Sequence, residues 1–430
     1  MRNTINQLSK MLGDIRRKGF FHLLTANMLI QLMAFASQLF VAGILSPEDV
    51  GRIKIIQTFL SVFSIFAGMG FNASTLKLCS EKRTLEEQKS LFSSAFIFTV
   101  LSTVGMYTIV LILNKFYLFS SDALIQWLIP LGLFPIISNS LFIVYVSYFQ
   151  ATKRIKLISN LTATNKLLSI AGIILFAYLW GIKGYYVAYN LSLLIILIVC
   201  IVNFSSDFSK KIFSKDIFAQ FSTHKRYAIT SMLAYLFSEM SAYTDIILIS
   251  YFVKDMKEIG YYSFALTITV VLRLFPSTVQ QITIPYFSSL SHQKNEFMVV
   301  FRRYNKIFYR AVLLTLMGSV VVAPFFLHYI FNGKYDASMQ YFPLLAIGWS
   351  LRQLALLQNG AIFGLGKIHY NVYTSFIALV FNVLVISTLL HFFGLIGAAY
   401  GSIPCGLVFV TLSRYYFYKA QSKMSDSDLR

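Results

Sequence analysis

The sequence predicts an all-α, polytopic membrane protein of about twelve transmembrane helices, arranged in two six-helix lobes related by a pseudo-two-fold along the membrane normal. Three observations lead there. The 430 residues are 57% hydrophobic and only 13% charged, whereas soluble chains run near 45–50% apolar and about 25% charged. The apolar residues fall into blocks long enough to cross a bilayer, with short basic intervals between them. Loop motifs of the first half also recur in order in the second.

A crossing helix takes roughly 20 mostly apolar residues, and its backbone polar groups must be bonded within the segment. Six blocks in the first half meet that requirement, at 21–45, 53–75, 91–113, 123–149, 157–179 and 184–204. Six more follow at 227–252, 260–287, 307–331, 340–363, 371–393 and 397–418. Arg16, Arg17 and Lys18 precede the first block, but it lacks a short apolar core with a small-residue cleavage site, so it is expected to be retained as a span. The longest polar interval, 205–226, is expected to be a cytoplasmic linker between a lobe at 1–204 and a lobe at 227–430.

The formal charge is +20, from 37 Lys+Arg against 17 Asp+Glu. Alternate loops carry this charge unequally. With the amino terminus inside, the inner set holds 26 basic residues, counting Arg414 with the carboxyl terminus. The outer set holds seven: Arg52, Lys54, Lys115, Lys183, Lys254, Lys257 and Lys334. That asymmetry places both termini in the cytoplasm of an inner-membrane, multi-pass protein, and it explains the charge without a nucleic-acid partner. Cys79, Cys200 and Cys405 stand far apart and outside any ligand spacing, so neither a disulfide nor a metal site is implied. No cofactor is expected, and no hydrolase or nucleotide motif is present.

The halves read as copies. Lys153 after the fourth block corresponds to Lys367 after the tenth, at a shift of 214. Gly181-Ile182-Lys183-Gly184 corresponds to Gly394-Leu395-Ile396-Gly397 at a shift of 213, and Gly51 to Gly260 at 209. Six spans per copy give both copies the same orientation, hence an axis along the membrane normal.

Chemistry is sought among charges at bilayer depth, which are costly and usually face a cavity or one another. Lys166, Glu239, Arg273 and Arg352 lie on the order of 13–20 Å from the start of their helices, near the midplane. Asp245 is the other acid within a span. Polar residues flank these charges at helical spacing, as in Thr269, Arg273, Ser277 and Gln280. A second stripe runs Gln57, Ser61, Ser64, Gly68 and Asn72, and the first span offers Asn27, Gln31 and Gln38. Together they predict a hydrated cationic cavity lined by Arg273, Arg352, Lys166, Gln31, Asn27, Gln57 and Ser277. An anionic ligand, and phosphate above all, suits the paired donors of arginine. Glu239 is expected to neutralise an arginine. Asp245 is expected to line the cavity or carry a proton, with a plain ion pair open for both acids.

Phe40-Val41-Ala42-Gly43-Ile44-Leu45-Ser46-Pro47-Glu48-Asp49-Val50-Gly51 and the polar second span ending Gly68-Met69-Gly70-Phe71-Asn72 resemble Wzx-type polysaccharide and O-antigen repeat-unit flippases. This family lies within the multidrug/oligosaccharidyl-lipid/polysaccharide exporter superfamily. The Gly-x-x-Gly openings of spans six and twelve are similar to it too. The resemblance covers essentially the whole chain. It implies a non-enzymatic carrier that moves an oligosaccharide on undecaprenyl pyrophosphate to the outer leaflet by alternating access. Membrane lipids and polysaccharide-assembly proteins are the implied partners. A drug or cation antiporter of the same superfamily is the alternative, but the first span lacks the acid such antiporters carry there, and the two further spans usual in lipid II flippases have no room. A polytopic polysaccharide polymerase or ligase is a third possibility, and it would be expected to show a long outer loop absent here.

Overall fold

The computed structural model describes residues 20–81, 83–209, 220–290 and 293–422, with side chains of the first helix described from Gln31 onward. The first half contains α1 (Phe20–Ile44), α2 (Pro47–Gly68), α3 (Phe71–Cys79), α4 (Leu85–Lys115), α5 (Ala123–Leu133), α6 (Pro135–Ala151) and α7 (Ile155–Asn203). The second contains α8 (Phe221–Phe252), α9 (Met256–Ser289), α10 (Lys294–Phe331), α11 (Phe342–Leu354), α12 (Leu356–Gly364), α13 (His369–Phe393) and α14 (Leu395–Ser422). No strand occurs among the described residues.

These helices make twelve crossings. The pairs α2–α3, α5–α6 and α11–α12 are single crossings interrupted once, and α7 crosses twice. The α2–α3 interruption is a left-handed pair, Met69 and Gly70, and the α5–α6 interruption precedes Pro135. Among the described residues, counting α5–α6 as one, eight helices are long and apolar enough to span a membrane by length and composition. The chain is a multi-pass membrane protein.

The internal repeat is visible in backbone geometry. Gly181 turns the chain within α7 at φ 61°, ψ −143°, and Gly394 does the same between α13 and α14 at φ 61°, ψ −151°. Both corners are so tight that a side chain three residues on would strike the preceding arm. A Cβ on Gly184 would lie 1.8 Å from the Phe176 carbonyl oxygen, and one on Gly397 would lie 2.0 Å from that of Leu389. The turns after the fourth and tenth crossings match as well, but one residue away from the expected pairing. Lys153 and Gly366 are the left-handed residues there, and Arg154 and Lys367 donate their amides back to Phe149 and Ile362 (2.8 and 3.1 Å). Lys153 therefore pairs with Gly366 at 213, the same shift as the glycine corners. What repeats is the left-handed position that ends a helix, which a lysine side chain does not mark.

Two expected boundaries move outward. α10 begins at Lys294 rather than near 307, because buried Phe297, Phe301 and Phe308 extend one apolar face beyond the hydrocarbon block. Phe301 stacks on Phe417 with ring centroids 4.1 Å apart. α8 begins at Phe221, so the last residues of the 205–226 interval are helical. Phe221 packs on Phe71, and Gln220 donates to Ser90 Oγ at 2.6 Å. Residues 210–219 of the interval lie outside the described residues.

Buried apolar residues show how the halves meet. At the end carrying Pro47, one continuous core runs through both, from Ile53, Ile56 and Phe59 to Ile259, Phe264 and Phe331. At the end carrying Arg154 there are two clusters, one around Phe92, Tyr145 and Tyr148 that also takes in Ala228 of α8, and a separate one around Phe287, Phe297 and Phe417. The two lobes share a continuous core at the Pro47 end, and at the Arg154 end they meet along α3 and α8, where Ser74 Oγ and His224 Nδ1 lie 2.8 Å apart.

Candidate substrate cavity between the lobes

Between the first lobe and α8 lies a cavity of about 390 Å³, bounded by residues 60–72 of the second crossing, 139–144 of α6, Tyr189 of α7, and Tyr235, Glu239 and Tyr243 of α8. α2 supplies Ser61, Ser64 and Gly68, and Asn72 follows from α3. The period of that polar stripe reports one helix face, and the face is turned to the cavity because the opposite one carries Ile55, Ile56 and Phe59 into the core. The buried Ser64 hydroxyl has no partner among the described residues, so a ligand hydroxyl or a water can satisfy it.

The positions of the individually expected residues differ. Gln57, one turn before the stripe enters the cavity, donates to the Tyr185 hydroxyl at 2.6 Å inside the first lobe. Gln31 is half-buried on α1, and the side chain of Asn27 lies outside the described residues. Lys166 is exposed midway along the first arm of α7. Ser277 donates to the Leu274 carbonyl of its own helix at 3.1 Å. Arg273 is exposed on α9, within Coulomb range of Glu239 across the cavity wall.

Arg352 does not sit on this cavity. Its guanidinium lies inside the second lobe and donates to the carbonyl oxygen (2.9 Å) and hydroxyl (3.2 Å) of Ser241. It stands 5.4 Å from the Trp349 ring and 5.0 Å from the Phe409 ring. Asp245 shares that interior. It accepts from the Tyr262 hydroxyl at 2.8 Å and from the Ile246 amide, beside a pocket of about 20 Å³ also bordered by Arg352, Asn382 and Ser402. Glu239 thus borders the central cavity, while Asp245, expected to line it, lies within the second lobe. Glu239 and Asp245 share one helix but lie six residues, or about 600° of helical rotation, apart. Depth alone could not tell them apart.

Sequence reasoning missed Tyr189, Tyr235, Tyr243 and Asn139, because a search restricted to charges passes over aromatic residues and a single amide. It also placed Lys54 in a loop. The lysine lies within α2, with its ammonium 5.7 Å from the Tyr243 ring centroid.

Outside the spans, Arg154 anchors the Arg154 end of the first lobe by a paired contact to Asp207 (2.5 and 2.8 Å). That pairing raises the arginine above its already high ordinary range.

Two helical repeats beside a polar cavity define a two-lobed membrane fold. Residues 17–291 match the family model described as polysaccharide biosynthesis protein, and the chain belongs to that family. It is 21% identical over 413 residues to an uncharacterized membrane protein of Methanocaldococcus jannaschii, covering 89% of this chain and 80% of that protein. Its structure is similar to that of the lipid II flippase MurJ in an inward closed conformation (TM-score 0.75, 15% identity, 94% of this chain and 90% of that one). It is also similar to an inward-facing multidrug resistance MATE family transporter of the MOP superfamily (TM-score 0.71, 14% identity, 92% and 96%). At these identities the structural likeness is one of fold.

Proposed function

We propose that this protein is a flippase for undecaprenyl-pyrophosphate-linked oligosaccharide repeat units, carrying them from the cytoplasmic to the outer leaflet by alternating access. One observation carries the reading: the cavity wall combines serine hydroxyls, asparagine amides and three tyrosines, with Arg273 nearby on α9. Hydroxyls and amides both donate and accept, as sugar hydroxyls require, and tyrosine adds a flat apolar face with a polar tip. Arginine offers paired donors to a pyrophosphate. In this reading the Arg154 end faces the cytoplasm, in agreement with the basic loops there, and the substrate enters from that side. The lobes are the units 1–204 and 227–430.

The test is reconstitution in liposomes with a fluorescent undecaprenyl-pyrophosphate oligosaccharide. Protein-dependent loss of leaflet asymmetry is expected, and equal rates with and without protein would refute the proposal. A cation antiporter is the second reading, favoured by Glu239 as the acid on the cavity wall. Resistance of expressing cells to cationic dyes, with no flipping of the lipid, would select it.

A further inference from the structure

The Pro47 end, where a continuous core closes the lobes on each other, is fastened by groups that reach from one lobe into the other. Lys334, in the turn between α10 and α11, directs its ammonium at the carbonyl oxygens of Ala42 (3.0 Å), Gly43 (3.1 Å) and Leu45, at the end of α1. The adjacent Tyr335 donates its hydroxyl to the Ala42 carbonyl at 2.9 Å. Its ring is fully buried and stacked on Phe264 with centroids 3.8 Å apart. The Lys334 ammonium lies 5.5 Å from the centroid of that same ring.

The last carbonyls of a helix have no partner within the helix and form the negative end of its dipole. An ammonium with three donors matches them. Here the capping group belongs to the other lobe, so all four bonds cross the interface and none survives if the lobes part at this end. Release is reversible in kind, because Lys334 is half-exposed and water can take over both the ammonium and the freed carbonyls.

The internal repeat supplies a comparison within the molecule. Tyr251 of α8 occupies the position of Ala42 at the repeat shift of 209, and it too bonds across the interface. Its hydroxyl donates to the Leu118 carbonyl, in the turn between α4 and α5, at 2.6 Å. That second clasp is a single exposed bond, whereas the first has four bonds and a buried aromatic anchor.

We infer that Lys334 is the latch of the closed end: its contact with the α1 carbonyls holds the lobes together there, and opening to that side requires its release. The inference deepens the flippase reading, since it names the residue that holds the loading state. It can nevertheless fail independently, because it concerns lobe separation alone.

The test uses full-length protein in nanodiscs without substrate, spin-labelled at Phe116→Cys and Tyr329→Cys, exposed positions on opposite lobes. The native cysteines are buried. The parent is expected to give one principal distance by double electron–electron resonance. Lys334→Ala is expected to make a longer distance the major component, Lys334→Arg to restore the parent distribution, and Tyr335→Phe to fall between. If Lys334→Ala does not accumulate, Lys334→Gln carries the same expectation. An unchanged distribution in the Lys334 and Tyr335 variants, even with a lowered unfolding temperature, would overturn the latch and leave only a structural cap.

Discussion

Gly51 of α2 and Gly260 of α9, equivalent positions of the internal repeat, face each other across the lobe interface. A Cβ on Gly51 would lie 2.9 Å from the Gly260 amide nitrogen, and one on Gly260 would lie 1.9 Å from the Pro47 carbonyl oxygen. Two equivalent residues in contact mark where the pseudo-two-fold axis passes. Ser46 and Asp255 cap the two helices at the same shift, Ser46 Oγ accepting from the Asp49 amide and Asp255 Oδ1 from those of Lys257 and Glu258.

Gly260→Ala should therefore force this end apart, since the added methyl meets backbone on the other lobe with no flexible side chain to give way. A loss of about 1–3 kcal/mol is expected for such overpacking, together with a longer Phe116–Tyr329 distance in the spin-label experiment. Gly51→Ala, with more room, should show the same effects in weaker form. A parent-like distance in Gly260→Ala would show that the contact is dispensable.

Arg273→Ala should abolish flipping and surface polysaccharide while the protein inserts at normal levels, if the exposed arginine meets the pyrophosphate as proposed. Arg273→Lys should recover part of the activity, keeping charge but losing the paired donors. Normal export in the alanine variant would remove Arg273 from the site.

The two acids of α8 should behave differently. Glu239→Gln should impair transport, since Glu239 borders the cavity. Asp245→Asn should retain it, because an amide oxygen can still accept from the Tyr262 hydroxyl. The opposite pattern in export assays would move coupling into the second lobe.

Arg352→Ala should act on stability before transport. It leaves the Ser241 contacts unmade, a change worth about 1.5–3 kcal/mol for hydrogen bonds to a charged group. Detergent thermal unfolding reads this directly, and an unchanged midpoint would contradict it.

Orientation is tested by reporter fusions. One placed after Phe208, beside the Arg154–Asp207 pair, should report the cytoplasm, and one placed after Lys254 the opposite side. Reversed signals would invert the proposed direction of transport.

The sequence alone determined the class of molecule, the twelve crossings, the repeat and the polar face of α2. Each is a local property: length of an apolar block, period along one helix, or recurrence of a helix-ending residue. Ser61, Ser64, Gly68 and Asn72 were legible because their spacing carries the signal without knowledge of any neighbour. The tertiary structure decided what each face meets. It put Arg352 against Ser241, Asp245 against Tyr262 and Glu239 on the cavity, although all three read alike as charges at depth. It also joined Lys334 to carbonyls almost three hundred residues away, a contact without any side-chain partner for a sequence motif to reveal. A buried charge is costly wherever it lies in a bilayer, so the sequence shows that it must be satisfied. Which group satisfies it depends on the rotation and packing of helices distant in the chain, and only the folded lobes fix those.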